Sequence, residues 1–438
     1  MSQNTQKKPI FEGIFSKEDW FTVWLGVIVI VLAAAGAWPK VVMPAKWGVD
    51  GLGFFASIPG ASLTGIIVTG ILCLILFAFS MFFTNKAMVG KFAVAFPIIF
   101  IIAILAEIMG KFAPLSHYGL NSVVWALVLG LLISNTIKTP DLLKPGVKTE
   151  LYIKTGLVLL GASILFDRML TLGVLGLGVA WLVTPVVIIF MYWYSQSYLK
   201  MQENRGLAIT IAAATSVCGV SAAIAAGTAA KAKKEEISLA IGISLIFTVI
   251  MMVAMPALVV AIGMDPYVGA AWMGGTIDAT GAVVAAGTML GEEAMEIASV
   301  IKMIQNIMIG LSAFVIAVFW VVRYEGKSVS EANVGASEIW FRMPKFILGF
   351  IGASIIFSFF LPDALVKDTL GVVNGYRKFF FTLAFVSIGL ESNFGDMAKL
   401  VKGGKPLNLY IVGQTFNLVL TLIAAYVFFS GNFFALPF

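Results

Sequence analysis

Charge, histidine and cysteine are all scarce in this chain. Asp, Glu, Lys and Arg make up 12% of the 438 residues, whereas AVILMFWYC make up 60%. Soluble domains carry roughly a quarter charged residues, so a water-soluble globular protein is excluded. The two cysteines, Cys73 and Cys218, have no CxxC spacing and no Cys/His partner, which implies neither a disulfide framework nor a zinc site. The single histidine, His117, sits beside Pro114 and Ser116 with no acidic cluster near it and reads as a solvated loop residue. No Walker loop, HExxH or nucleophile elbow occurs, which argues against an enzyme and against ATP hydrolysis by this chain. The net charge of +6 does not point to nucleic acid, because the Lys and Arg residues fall in short breaks between apolar runs, where membrane topology accounts for them.

Those apolar runs are what the sequence has in abundance. Roughly eleven to thirteen stretches approach the length of about 20 residues needed to span a bilayer. With 35 Phe, 10 Trp and 43 Gly, the chain has interfacial aromatics and small residues for close helix packing. The reading is all-α: a polytopic helical membrane protein placed in the bacterial inner membrane. Lys7 and Lys8 precede an apolar run at 21–37 that is long for a cleaved signal peptide, so a retained span is expected. Further spans are expected near 62–83, 92–109, 122–137, 151–166, 174–194, 237–262, 298–322, 345–361, 376–394 and 407–429. Two irregular segments, 207–230 and 268–290, interrupt the series. The layout is a cytoplasmic segment (1–19), accessory helices (20–118), a core with two broken helices (119–322), a cytoplasmic connection (323–344) and C-terminal helices completing a second repeat (345–438).

Loop charges constrain the two irregular segments. With a cytoplasmic N-terminus, Lys86, Lys91, Lys138, Lys144, Lys148, Lys200 and Arg205 fall on one side. Lys231, Lys233 and Lys234, and later Arg323, Lys327, Arg342, Lys345, Lys399, Lys402 and Lys405, join them only if both segments enter the membrane and return from opposite faces. Two full-width helices broken in the middle are the alternative. Two self-alignments support duplicated, inverted halves: Ala225-Ala226-Gly227-Thr228 with Ala285-Ala286-Gly287-Thr288, and Val158, Gly161, Phe166, Met169 and Leu172 with Val386, Gly389, Phe394, Met397 and Leu400.

Polar groups inside these segments carry the candidate chemistry. Thr215-Ser216-Val217-Cys218-Gly219-Val220-Ser221 breaks an apolar helix, and irregular backbone at membrane depth survives only where it is buried in protein or lines an aqueous cavity. The positive end of a helix starting at Ser221 suits an anion; a structural kink is the competing reading. In the second break, Gly274 to Gly281, an intramembrane Asp278 costs at least about 2.5 to 3.5 kcal/mol and is a candidate for a coupling Na⁺ or proton, against a simple helix cap. Substrate contacts are expected from Ser216, Cys218, Gly219, Ser221, Thr276, Thr280, Gln305 and Asn306, and ion coupling from Asp278, Ser163, Glu391 and Asn393. Lys302 shares a helix side with Gln305 and Asn306, facing the breaks or snorkelling to the interface.

The stretch Leu159-Leu160-Gly161-Ala162, the stretch Thr215-Ser216-Val217-Cys218-Gly219 with Ser221-Ala222-Ala223, and Gly275-Thr276 through Val284-Ala285-Ala286-Gly287 together resemble the bacterial sulfate exporter family of inner-membrane proteins, itself distantly similar to the bile acid:sodium symporter group. The resemblance covers about residues 120 to 430. It implies a secondary transporter for a small anion such as sulfate, sulfite or an organic sulfonate, a mobile core moving against a scaffold, and homodimers. That family often carries a His-Glu pair where this chain has Asp278, which leaves the substrate and coupling ion open. A passive channel is the runner-up; it would want a continuous polar stripe along several spans.

Overall fold

The computed structural model describes residues 13–49, 53–54, 60–116, 121–326, 328, 337–400 and 404–437. His117, Lys7, Lys8, Lys327 and Lys402 lie outside the described residues. In chain order the helices are α1 (Glu18–Ala34), α2 (Gly60–Thr84), α3 (Val89–Gly110), α4 (Ala113–Ser116), α5 (Ser122–Thr136), α6 (Thr149–Ser163), α7 (Phe166–Ser197), α8 (Arg205–Ser216), α9 (Ser221–Ala229), α10 (Lys234–Ala261), α11 (Pro266–Thr276), α12 (Thr280–Leu290), α13 (Glu292–Tyr324), α14 (Ser337–Arg342), α15 (Phe346–Phe359), α16 (Asp363–Glu391), α17 (Phe394–Leu400) and α18 (Lys405–Phe429). The described residues contain no strand, so the protein is an all-α polytopic membrane protein.

Among the described residues, six helices are long and apolar enough to cross a bilayer: Ser62–Thr84, Lys86–Gly110, Phe166–Ser197, Lys234–Ala261, Glu292–Tyr324 and Lys405–Phe429. The eleven to thirteen expected spans are therefore too many by that measure. α1 (17 residues), α5 and α6 (15 each) and α15 (14) are shorter than a bilayer-crossing helix. At about 1.5 Å per residue they rise only about 20 to 25 Å. α16 has the length but carries Lys367, Asp368, Arg377 and Lys378 within it. α6 and the C-terminal half of α16 keep a nearly continuous apolar surface because protein covers them on most sides. Their close approach to neighbours needs glycine: a Cβ on Gly130 of α5 would lie 2.5 Å from Val386 O, and one on Gly389 would lie 2.6 Å from Leu127 O.

Both irregular segments fold back as helical hairpins. In the first, a Cβ on Gly206 at the start of α8 would lie 3.0 Å from Ala232, just beyond α9, and one on Gly227 would lie 3.0 Å from Thr210 Oγ1. The two arms therefore lie side by side, with residues 217–220 as the tip. In the second, Tyr267 at the start of α11 donates its hydroxyl to Glu293, just beyond α12, at 2.5 Å. Gly274 of α11 and Gly287 of α12 both pack on Ala298 of α13. Neither segment is a full-width broken helix. α10, 28 residues and so about 42 Å long, starts beside the mouth of the first hairpin and ends beside the mouth of the second. The hairpins thus enter from opposite faces.

Packing sorts the helices into two bodies. α16 lies on α5 and α6, joined by α1, α3 and α15; α13 lies on α7, α9, α11 and α12, with α18 and α10 closing around the hairpins. The grouping cuts across chain order, since α7 and α18 sit with the hairpins while α6 and α16, their neighbours in sequence, sit in the other body. The two share a continuous apolar core, and a cavity opens between them on one side.

Candidate functional site

The hairpin tips touch, and their loose backbone groups are held by side chains. Gly219 N–H of the first tip donates to Asp278 O of the second at 2.7 Å. A Cβ on Gly219 would sit 2.4 Å from Ser244 Oγ, so the approach depends on glycine. α8 and α11 end buried inside the protein, where their last carbonyls have no intrahelical donors. Lys302 Nζ donates to Val217 O at 2.6 Å, which also sets a cation against the negative end of α8. Gln305 Nε2 bridges the hairpins, donating to Ser216 O at 2.9 Å and Gly275 O at 3.0 Å, while its Oε1 accepts from Lys302 at 2.7 Å. From α18, Asn417 donates to Thr215 O at 3.2 Å and Gln414 to Thr276 O at 3.2 Å.

Asp278 is 1% exposed, and its carboxylate does not cap α12. Its Oδ2 instead accepts from Ser244 of α10 at 2.7 Å and Tyr410 of α18 at 2.6 Å. The carboxylate is thus pinned by hydroxyls from two helices, while its main chain holds the opposing tip.

Beside the tips lies a cavity of about 600 Å³ between the two bodies. Cys218, Val220 and Ser221 of the first tip and Ala279, Gly281 and Ala282 of the second line one wall. Lys148, Thr149, Glu150 and Lys154 at the start of α6, with Glu391 at the end of α16, line the other. α9 and α12 both begin at this cavity without a side-chain cap, so two positive helix ends face the space. Lys154 is paired with Asp19 at 3.1 Å and Glu150 at 3.2 Å. A second cavity of about 750 Å³, lined by Lys138, Asp141, Lys144, Asn393 and Asp396, shares Glu391, Val147, Leu245 and Met397 with the first and extends it toward the lysine-rich face.

Residues 94–410 match the profile of the family described as conserved hypothetical protein 698. The chain belongs to that family. Its similarity to curated relatives agrees: a UPF0324 membrane protein of Rhodopirellula baltica is 51% identical over 401 residues, covering 90% of this chain and 73% of the relative. A UPF0324 membrane protein of Nitratidesulfovibrio vulgaris is 51% identical over 351 residues, 78% of this chain and 60% of that protein. A third, from Nitrosomonas europaea, is 28% identical over 480 residues, covering 93% and 94%. The printed names go no further than membrane protein, so the family reading stands and the sulfate exporter resemblance is not carried by them. No solved structure matches the chain.

For this family member, the structure distributes the expected residues unevenly. Cys218, Ser221 and Glu391 face the main cavity. Gly219 and Asp278 make the tip contact. Ser216 and Gln305 do not reach the cavity: the Ser216 hydroxyl donates to Ala212 O at 2.7 Å, and the Gln305 amide is spent on the hairpin ends. Thr276 is buried in its break, and Thr280 accepts from Asn306 at 2.9 Å behind the tip. Ser163 lies apart, at the other end of α6, donating to Asn374 at 2.6 Å. Asn393 accepts from Asp396 N–H at 2.8 Å and donates to Ser134 O, capping α17. Lys302 does not snorkel; it is 1% exposed at the centre. Sequence reasoning missed Ser244, Tyr410, Gln414 and Asn417. Tyr410, Gln414, Asn417 and Thr421 recur at i, i+4, i+7 and i+11 on α18, a readable polar stripe. It braces helix ends rather than lining a pore.

Proposed function

We propose that this protein is a secondary transporter that moves a small anion of the sulfate, sulfite or organic sulfonate type across a bacterial inner membrane, by alternating access around its two hairpins. One observation carries the reading: hairpins from opposite faces meet tip to tip at the wall of a cavity between two bodies. Sliding one body past the other would carry the tips between faces while the helix-end hydrogen bonds, which lie within the hairpin body, stay intact. The anion preference is supported by the two helix N-termini without side-chain caps and by Lys148 beside them, on a cavity whose lining also carries Glu18, Glu150 and Glu391. The positive-inside bias assigns the lysine-rich face to the cytoplasm, so this conformation is open inward. Asp278 is the candidate for coupling to Na⁺ or H⁺. A homodimer is the assembly the family resemblance implies.

Flux of radiolabelled sulfate into proteoliposomes, with and without Na⁺ and pH gradients and with sulfite, taurine and small carboxylates as competitors, tests this. Saturable, gradient-dependent and competed flux is the expected result. Non-saturable flux indifferent to gradients would favour the channel reading, and absence of flux under every gradient would remove sulfate as the substrate.

A further inference from the structure

We propose a monovalent-cation site in the break of the second hairpin, built from oxygens of Asp278, Thr276, Thr248 and Gln414. Its use in coupling rests on the transporter reading above; the binding itself does not. Four buried oxygens in this region have no hydrogen-bond partner within the protein: Asp278 Oδ1, Thr276 Oγ1, Thr248 Oγ1 and Gln414 Oε1. All four residues are at most 4% exposed. Existing contacts tie them together. Gln414 Nε2 reaches Thr276 O at 3.2 Å and Met251 Sδ at 3.0 Å, and Met251 is one turn beyond Thr248 on α10. Ser244, one turn before Thr248, and Tyr410, one turn before Gln414, both hold the other oxygen of Asp278.

The orientation of Gln414 is fixed by chemistry, since only its amide nitrogen can face the Thr276 carbonyl; its orphan atom is therefore an acceptor. Hydroxyl, amide and carboxylate oxygens are the donor set a hard cation takes. A proton on Asp278 would satisfy Oδ1 alone and leave the neighbouring oxygens bare, whereas a cation answers them together. No group of three or more His, Cys, Asp or Glu side chains gathers among the described residues, which weighs against a divalent ion. The C-terminal end of α11 supplies a negative dipole end at the same place, the arrangement by which unwound helices hold coupling cations in carriers.

Equilibrium retention of radiolabelled sodium ion by the purified full-length chain in detergent tests the site without any substrate. The expected result is saturable retention, displaced by unlabelled Na⁺ and not by Ca²⁺. Affinity falls about tenfold or more in Asp278→Asn, Thr248→Val and Gln414→Leu and is unchanged in Thr136→Ala, at an exposed residue on the end of α5. Each variant is first checked for cooperative melting; if Asp278→Asn does not fold, the other two carry the comparison. Wild-type protein that melts cooperatively and retains no sodium overturns the site, as does full retention by the folded variants or displacement by Ca²⁺. Sulfate flux without sodium retention would sink the site and leave the transporter reading standing; retention without flux of any candidate anion would do the reverse.

Discussion

At the scale of single residues, side chains divide between bracing the backbone and facing the cavity. Lys302 belongs to the first kind. In Lys302→Met, the buried Val217 O and Gln305 Oε1 lose their donor, and each orphaned acceptor costs about 1 to 3 kcal/mol. We expect a loss of about 2 kcal/mol or more in reversible unfolding of the purified protein; wild-type stability would mean that the end of α8 is satisfied by another group. Ser221 belongs to the second kind. Ser221→Ala removes a hydroxyl from the cavity wall at the start of α9 and leaves the packing behind it intact. Anion affinity is expected to fall about threefold to tenfold with little change in melting, equivalent to the net worth of one hydrogen bond. Competition of labelled sulfate flux by unlabelled sulfate reads this directly, and unchanged affinity would leave the backbone amides and Cys218 as the contacts. Asp278 was visible from sequence because a carboxylate in an apolar run is costly wherever it sits. Its partners Ser244 and Tyr410 were not, because hydroxyls are cheap in a membrane helix and nothing local says which of them will meet it across 34 and 132 residues of chain.

At the scale of elements, periodicity and charge carried most of the information. The span expected at 237–262 is Lys234–Ala261, and the one at 407–429 is Lys405–Phe429. The loop lysines favoured hairpins over broken crossings because a crossing would move every later cationic loop to the other face. The sequence was poorer where tertiary burial replaced lipid: α6 is apolar because protein covers most of it, whereas α1, α5 and α15 bury half of their residues or fewer and fall short as spans in length, which an apolar run alone does not reveal. α17 was missed for the opposite reason, being a short helix fixed by the Asn393 cap. The hairpin tips give the test at this scale. In Gly219→Ala the added methyl would lie 2.4 Å from Ser244 Oγ, and relieving it must separate the tips or displace the hydroxyl that holds Asp278. Overpacking of this kind costs about 1 to 3 kcal/mol. Thermal melting should drop accordingly, and an unchanged midpoint would show that the tips are not held together in the membrane.

At the scale of the whole molecule, the two bodies meet differently on the two faces. Toward the lysine-rich face they are parted by the cavities; toward the other face Glu292, at the start of α13, reaches Arg377 at 3.1 Å and Lys378 at 2.7 Å on α16. That ion pair bridges the bodies where the cavity does not reach; under the proposed alternating access it would act as a latch that favours this conformation. Glu292 is about half exposed, so solvent screens much of the attraction, although the Arg377 side chain is 5% exposed. A worth of about 1 kcal/mol is reasonable. Glu292→Gln should then raise the population of the oppositely open conformation about fivefold from a minor level. Val220 offers the reporter position, because it lines the cavity and is 36% exposed, whereas Cys218 beside it is only 8% exposed and Cys73 is fully buried elsewhere. In a Val220→Cys variant with both native cysteines replaced by serine, a membrane-impermeant maleimide should label the introduced thiol readily from the lysine-rich face of oriented vesicles and slowly from the other. Glu292→Gln should speed the slow reaction about fivefold. An unchanged slow rate would show that the ion pair does not set the conformational balance, and equal rates from both faces in the parent protein would contradict alternating access itself.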